Sequence, residues 1–200
     1  METAELGGTG IRITPIGLGC WQFSRGNGYI ARWWEDLPDE TIREIVAVSL
    51  SAGVNWFDTA EVYGWGRSEE ALAQALRANC VEPGDAVVAT KWCPLLRSAG
   101  SITRTIDARL EALGGYPIDL HQVHAPVSFS RVESEMRALA GLVRARKIRS
   151  VGVSNFTAGQ MRRAHATLRD EGIVLASNQV KYSLVERRIE RNGVMDAARE

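Results

Sequence analysis

The stretch "NWFDTAEVYG", residues 55–64, joins a short apolar run to a polar loop. The run ends in a carboxylate at Asp58, and a phenol follows five residues later at Tyr63. A short apolar segment bounded by polar residues is typical of a buried parallel strand, and functional side chains collect where such strands end. The stretch therefore predicts a strand, Val54–Asp58, whose carboxyl end carries candidate catalytic groups.

The same pattern recurs along the chain at intervals close to the length of one βαβ unit, about 30 residues. Helical patterns with recognisable ends fill the gaps between the strand candidates. Two of them, "SRVE" at 130–133 and "TAGQ" at 157–160, fit the capping box of a helix start. The other predicted strands are Ile16–Trp21, Ala86–Trp92, Ile118–His124, Ile148–Ser154 and Ile173–Val180.

Strands that alternate with helices in this way indicate an α/β fold with a parallel sheet. Six units with no switch in topology favour a (β/α)8 TIM barrel, which typically needs about 250 residues when closed. We therefore predict a single domain over residues 1–200, an apparently truncated barrel of about six βα units. The last segment, "RNGVMDAARE", starts like a helix and has no C-terminal signal before Glu200.

Composition limits the classes of function. The chain has 24 basic and 24 acidic residues and 45% hydrophobic residues, so charge gives no reason to expect nucleic acid or an anionic membrane as a partner. No apolar stretch approaches the ~18 residues of a membrane span, and no signal peptide is recognisable, so we expect a cytoplasmic protein. Cys20, Cys80 and Cys93 are widely spaced without a C-x-x-C motif, and predict neither a disulfide framework nor a zinc site.

Strand parity brings further groups to the end of the barrel that holds Asp58. Lys91 closes the third predicted strand and His124 closes the fourth, and side chains two apart along a strand share a face. The pattern thus predicts that Asp58, Tyr63, Lys91 and His124 converge at one barrel mouth. His121 has the opposite parity and should face the helices, so the two histidines cannot share a metal ion, and we predict no metal site.

These four groups suit the protonation of a carbonyl oxygen while hydride arrives at its carbon. A tyrosine can act as a general acid near neutral pH if a neighbouring cation stabilises its phenolate, and Lys91 should therefore lower the pKa of Tyr63. Asp58 would be the counter-ion of Lys91, and His124 would donate a hydrogen bond to the substrate oxygen. The alternative is that Asp58 and Lys91 form a purely structural ion pair.

At this point the sequence resembles a known family, the aldo-keto reductases, which are nicotinamide-dependent oxidoreductases on a (β/α)8 barrel. The similar segments cover nearly the whole chain in the order of the family. They are "GLGCW" (17–21), "NWFDTAEVYGWGRSEEALAQAL" (55–76), "ATKW" (89–92), "IDLHQVHAP" (118–126), "VGVSNF" (151–156) and "NQVKYSL" (178–184).

The resemblance implies that Tyr63 is the proton donor, that Lys91 and Asp58 tune it, and that His124 orients the carbonyl. It also implies a cofactor site to which Asp58 contributes. Ser154, Asn155 and Gln179 would hold the nicotinamide carboxamide, Tyr182 would stack on its ring, and the backbone of Gly19, Cys20 and Trp21 would lie against it. Cys20 stands where the family commonly has a hydroxyl residue. The alternative for Tyr182 is that it packs in the core as an ordinary aromatic residue.

NADP, as NADPH, is the usual cofactor of the family, and NAD is not excluded. The family's seventh and eighth units carry much of the pyrophosphate and 2′-phosphate binding, so no residue of this chain selects between the two. For the same reason we expect the 200 residues by themselves to fold poorly and to bind no NADPH. The "GLGCWQ" segment lacks the third glycine of a Rossmann fingerprint, in agreement with a barrel reductase.

The leading hypothesis is an enzyme that reduces aldehydes or ketones to alcohols, with hydride from the nicotinamide and a proton from Tyr63. The alternative is a non-catalytic nicotinamide-binding regulatory subunit, or an inactive fragment of an aldo-keto reductase. The expected partner is a small-molecule carbonyl or alcohol substrate, and the sequence does not indicate an oligomeric state. Five tryptophans near the predicted mouth favour apolar or aromatic substrates, with barrel packing as the alternative. They are Trp21, Trp33, Trp34, Trp65 and Trp92, of which we assign Trp21, Trp65 and Trp92 to the substrate pocket.

Overall fold

The computed structural model describes residues 1–24 and 36–200 of the chain. A short antiparallel hairpin, β1 (Ala4–Glu5) and β2 (Arg12–Ile13), precedes the main sheet. Six parallel strands then form one sheet, and their order in the sheet is their order in the chain. These strands are β3 (Leu18–Gly19), β4 (Trp56–Asp58), β5 (Val87–Trp92), β6 (Leu120–Val123), β7 (Ser150–Ser154) and β8 (Leu175–Gln179).

The helices follow the strands in alternation, and each packs against the next helix along the chain. Within residues 1–24 and 36–200, none of these helices combines the length and the apolar character that a membrane crossing requires. They are α1 (Asp39–Ser51), α2 (Arg67–Ala78), α3 (Gly100–Ala112), α4 (Val132–Arg144), α5 (Ala158–Asp170) and α6 (Val194–Arg199).

This architecture confirms the predicted parallel βα barrel topology. The sheet has six strands where a closed barrel has eight, so β3 and β8 are its two edges. The hairpin of β1 and β2 was not predicted, because strands of two residues are too short to produce an alternating pattern.

The sheet separates two sets of buried side chains. The larger set lies between the strands and the helices, and it includes Phe57, Val88 and Trp92, which alternate with inward-facing residues. The smaller set, inside the barrel, consists of Ala89, Leu120 and Ala176, with Leu6 of the hairpin connection packed against it. The hairpin connection also approaches the backbone of Ala176 at Gly7, near the start of β8, so it lies at the end of the barrel opposite the strand carboxyl ends.

Only one of the two predicted capping boxes forms. The side chain of Thr157 accepts from the backbone N–H of Gln160, and the Gln160 side chain bonds back to the Thr157 backbone, as expected at the start of α5. The prediction at Ser130 is wrong, because α4 begins one residue later with Arg131 as its N-cap. The Ser130 hydroxyl instead accepts from the backbone N–H of Ala99, and so ties this loop to the start of α3.

Candidate active site

The carboxyl ends of neighbouring strands place the predicted catalytic groups side by side. Asp58 is the last residue of β4 and is in register with Ala89 of β5, and Lys91 of β5 is in register with Gln122 of β6. The side chains of Asp58, Lys91 and Gln122 therefore project to the same side of the sheet, the barrel interior.

Asp58 and Lys91 form a buried ion pair. The Lys91 ammonium donates to both carboxylate oxygens of Asp58, at 2.8 and 2.7 Å, and to the backbone oxygen of Thr59 at 2.9 Å. Only 1% of the Lys91 side chain is exposed. A charge this deeply buried requires a partner with good geometry, and the three acceptors use all three donors of the ammonium.

Tyr63 lies directly beside this ion pair. Its ring centroid is 5.2 Å from the Lys91 nitrogen, it stacks on Trp21 at 5.8 Å, and it meets the His124 ring edge-on at 5.6 Å. No residue in 1–24 or 36–200 forms a hydrogen bond with its hydroxyl. The structure thus brings together all four residues predicted to be catalytic, and the phenol hydroxyl has no partner within the described part of the chain.

The electrostatics at Tyr63 differ from the expected pattern. Burial, the charge of Asp58 and the neighbouring Cys20 raise the pKa of Tyr63 above its usual value. The expected lowering of this pKa by Lys91 is therefore wrong for the protein without a ligand. The physical reason is that burial disfavours the charged phenolate, and that both oxygens of Asp58 lie on the ammonium and offset its charge at the ring. A tyrosine with a raised pKa keeps its proton at neutral pH, as a proton donor must.

His124 is neutral at physiological pH. Burial and the positive charge of Lys91 lower the pKa of His124 to about 4, against an opposing effect of Asp58. A neutral imidazole has one N–H to donate and one nitrogen to accept. His124 can therefore donate a hydrogen bond to an oxygen beside the Tyr63 hydroxyl without carrying a charge into the site.

The predicted carboxamide-binding residues form a connected group at the ends of β7 and β8. The Ser154 hydroxyl donates to the backbone oxygen of Gln179 at 3.0 Å. The Asn155 amide donates to the Ser154 hydroxyl at 3.0 Å and to the backbone oxygen of His124 at 3.1 Å. The Gln179 amide also donates to Asp58 at 2.9 Å, a contact that the sequence did not predict, and so links the predicted carboxamide-binding residues to the Asp58–Lys91 ion pair.

The remaining predicted cofactor contacts lie on both sides of the mouth. Gly19 is exposed, and a Cβ added to it would meet no atom within 4 Å, so its backbone is open to a ligand. Cys20 is fully buried, with its backbone N–H bonded to the Asp58 backbone oxygen at 2.8 Å. Tyr182 is 56% exposed and its hydroxyl donates to Glu190, so the alternative of a core aromatic is wrong.

The tryptophans predicted to line the substrate pocket divide into two groups. Trp21 and Trp65 are 37% and 58% exposed at the barrel mouth. The prediction for Trp92 is wrong, because its side chain follows Lys91 on β5 and so points to the opposite face of the sheet. Its ring is 1% exposed and donates to the Ser101 hydroxyl of α3 at 3.0 Å. Trp33 and Trp34 lie outside the described residues.

The position of Trp92 predicts an effect on stability instead of substrate choice. Trp92→Phe should lower the free energy of unfolding by about 1–3 kcal/mol, because a buried ring becomes smaller and the Ser101 hydroxyl loses its donor. Urea denaturation measures this change, and the KM values of two carbonyl substrates of different size provide the comparison. A large change in the ratio of the two KM values, without loss of stability, would indicate that Trp92 lines the substrate pocket after all.

His121 lies on the helix-facing side of β6, as predicted, and is 1% exposed. Burial and the nearby Arg109 lower the pKa of His121 from 6.5 to about 4. Above pH 6.5 the residue is neutral in both the folded and the unfolded chain. As the pH falls below this value, the unfolded chain takes up the proton first, and stability is lost.

We therefore expect His121→Gln to flatten the acid side of the stability profile. Between about pH 7 and pH 4 the wild-type protein should lose up to about 3 kcal/mol more unfolding free energy than this variant. Urea denaturation at a series of pH values measures the difference, and His165→Gln, at an exposed histidine of α5, is the matched control. If the unfolding free energies of His121→Gln and wild type changed with pH in parallel, protonation of His121 would not be coupled to folding.

Several residues of the site were not assigned a role from the sequence. Gln122 has an amide 3.4 Å from Asp58, and its buried side-chain oxygen has no hydrogen-bond partner among the described residues. Gln122 lies two residues before His124 and so shares its face of the strand, and this was the sequence signal that could have placed Gln122 in the site. Glu61 is 4% exposed and bonds to Arg97, a contact between two loops that no periodic pattern predicts.

The parallel βα sheet and the group of polar side chains at its carboxyl edge place this chain in the class of parallel βα-barrel proteins. Residues 15–200 match the family model of the Aldo/keto reductase family. The chain belongs to this family.

The chain is similar to the Aldo-keto reductase YhdN of Bacillus subtilis (strain 168), with 31% identity over 200 residues that cover 96% of this chain and 57% of that protein. Two solved structures are similar in fold at 30% identity, and each match covers 98% of this chain. The thermostable aldo-keto reductase Tm1743, in complex with the inhibitor epalrestat, matches with a TM-score of 0.81 over 68% of its length. The glycerol dehydrogenase AKR11B4 from Gluconobacter oxydans matches with a TM-score of 0.80 over 60% of its length.

Proposed function

We propose that the protein reduces aldehydes or ketones to alcohols with NADPH, and that Tyr63 supplies the proton. The observation that carries this proposal is the position of Tyr63, whose hydroxyl has no hydrogen bond to a described residue and whose ring centroid lies 5.6 Å from that of His124 and 5.2 Å from the nitrogen of the buried Lys91. A protonated phenol beside a neutral imidazole presents two donors to one oxygen. Two donors that converge on one oxygen are suited to a carbonyl that gains negative charge.

The residues at the ends of β7 and β8 fit a nicotinamide carboxamide. The side-chain oxygens of Asn155 and Gln179 accept no hydrogen bond from the described residues, while their amides donate within the protein. Two acceptors at an open edge suit the amide N–H groups of a carboxamide. When bound, the cofactor supplies hydride to the carbonyl carbon. We propose NADPH because it is the usual cofactor of the family, and NAD is the alternative that the assay must include.

Each catalytic side chain then has a defined part. Tyr63 and His124 hold the substrate oxygen, and the Tyr63 proton moves to that oxygen as its negative charge grows. The Lys91 ammonium stabilises the phenolate that forms, and Asp58 keeps the lysine charged and in place. Trp21, stacked on Tyr63, limits the positions of the phenol ring.

The test is a titration of the full-length protein with NADPH and with NADH, followed by an absorbance assay for reduction of simple aldehydes. We expect saturable NADPH binding and aldehyde-dependent loss of NADPH absorbance. Binding without turnover of any aldehyde or ketone would favour the non-catalytic nicotinamide-binding subunit. Absence of binding to either nucleotide by a protein with a cooperative melt would refute the proposal.

A further inference from the structure

Glu61 connects the loops that follow β4 and β5 at the barrel mouth. Its carboxylate accepts from the backbone N–H of Cys93 at 2.9 Å and from the Arg97 guanidinium at 2.7 Å. Only 5% of the Glu61 side chain is exposed, against 28% for Arg97. Since both carboxylate oxygens have partners, Glu61 holds Arg97 in one position at the edge of the mouth.

Arg97 in turn lies over an exposed indole. The guanidinium carbon is 6.0 Å from the centroid of the Trp65 ring, within the range of a cation–π contact. Trp65 has a backbone φ of 55°, in the left-handed region, between two glycines that also have positive φ values. The Trp65 ring is 58% exposed, so the contact with Arg97 is a restraint on a ring that solvent largely surrounds.

We propose that Glu61 and Arg97 are positioning residues that hold Trp65 as a flat wall of the substrate pocket, and that this wall selects aromatic over saturated carbonyl substrates. The proposal rests on the proposed function, because it assigns a substrate preference to the same site. When a substrate ring stacks on an indole, ordering of the indole side chain reduces the binding free energy. This cost is smaller when the indole is already held in place, so the substrate binds more tightly. Arg97 itself does not recognise substrate charge, because its own charge is matched by Glu61.

The test compares benzaldehyde with cyclohexanecarbaldehyde, two aldehydes of similar size of which only the first is flat and aromatic. Arg97→Met keeps the straight apolar stem of the side chain and removes the guanidinium. We expect the ratio of kcat/KM values, benzaldehyde over cyclohexanecarbaldehyde, to fall about five- to tenfold, mainly through KM for benzaldehyde. NADPH affinity and the rate with the saturated aldehyde should stay within about twofold of wild type.

A second set of variants keeps the result interpretable if Arg97→Met leaves Glu61 buried without its partner. Arg97→Lys retains the ion pair and lacks the planar group, so it should show a smaller loss of the same ratio. Arg97→Met should add nothing to Trp65→Leu in the double variant, since both act through one ring. Arg43→Met, at an arginine of an exposed ion pair on α1, is the matched control and should leave the ratio unchanged.

Three outcomes would overturn the inference. An unchanged ratio in both Arg97 variants would show that the wall does not depend on this contact. Additive losses in the double variant would show that Arg97 acts independently of Trp65. A selective loss of 4-carboxybenzaldehyde reduction in Arg97→Met would identify Arg97 as a receptor for substrate charge.

Failure of the inference can be distinguished from failure of the proposed function. A wild-type protein without NADPH-dependent activity on any aldehyde would refute both. Wild-type activity with an unchanged ratio would refute the inference alone. Fluorotryptophan NMR adds a readout that does not need turnover: the resonance assigned through Trp65→Leu should shift in Arg97→Met and stay in place in Arg43→Met.

Discussion

Replacing Tyr63 with phenylalanine should lower the turnover of carbonyl reduction at least about 100-fold, the usual contribution of a positioned general acid. The variant keeps the ring that stacks on Trp21 and meets His124, and loses only the hydroxyl. NADPH affinity should therefore change little. Steady-state kinetics with a nucleotide titration on the same preparation measure both quantities.

Tyr116→Phe is the matched control for this variant. This control also removes a tyrosine hydroxyl, but the Tyr116 hydroxyl donates to the backbone oxygen of Val81 at 2.6 Å, and the two residues precede β6 and β5, at the end of the strands opposite the mouth. We expect a loss of about 1 kcal/mol in stability and an unchanged turnover. Turnover of Tyr63→Phe within about threefold of that control would exclude Tyr63 as the proton donor.

Replacing Lys91 with methionine should reduce turnover to a similar degree and also destabilise the fold. In the proposed mechanism the ammonium, 5.2 Å from the Tyr63 ring, stabilises the phenolate as it forms. In the variant Asp58 stays charged without this partner and opposes loss of the phenol proton. Breaking a buried ion pair from one side typically costs about 3–5 kcal/mol of unfolding free energy.

The double variant Lys91→Met with Asp58→Asn separates the two effects. It leaves no unpaired charge, so part of the lost stability should return, whereas turnover should stay low because the ammonium is still absent. Urea denaturation and steady-state kinetics on both variants test this. Recovery of turnover together with stability would mean that Lys91 acts only as a structural ion-pair partner.

The grouping of the four residues predicted to be catalytic could be expected from the sequence because it depends on two simple rules. Parallel strands end at one edge of the sheet, and residues two apart on a strand share a face. Asp58, Lys91 and His124 follow from these rules, and Tyr63 follows from its loop. The same parity rule, applied strictly to β5, would have assigned Trp92 to the helix side, where the structure places it.

Contacts between loops and the sign of the electrostatic effects were not predictable. The Glu61–Arg97–Trp65 arrangement joins residues from two loops with no repeating pattern, and only the folded backbone brings them within reach. The pKa of Tyr63 depends on burial and on how closely Asp58 covers the lysine charge, and neither distance is present in a sequence.

The sequence alone determined the order of the six βα units, the shared end of the strands and the identities of the groups that meet there. These follow from periodicity and parity, which are local properties of the chain. Only the tertiary structure decided which groups touch, which charges are offset and which rings are exposed. Those properties depend on distances of a few ångströms between residues far apart in the chain, as between Gln179 and Asp58, because hydrogen bonds and screened charges act over such lengths.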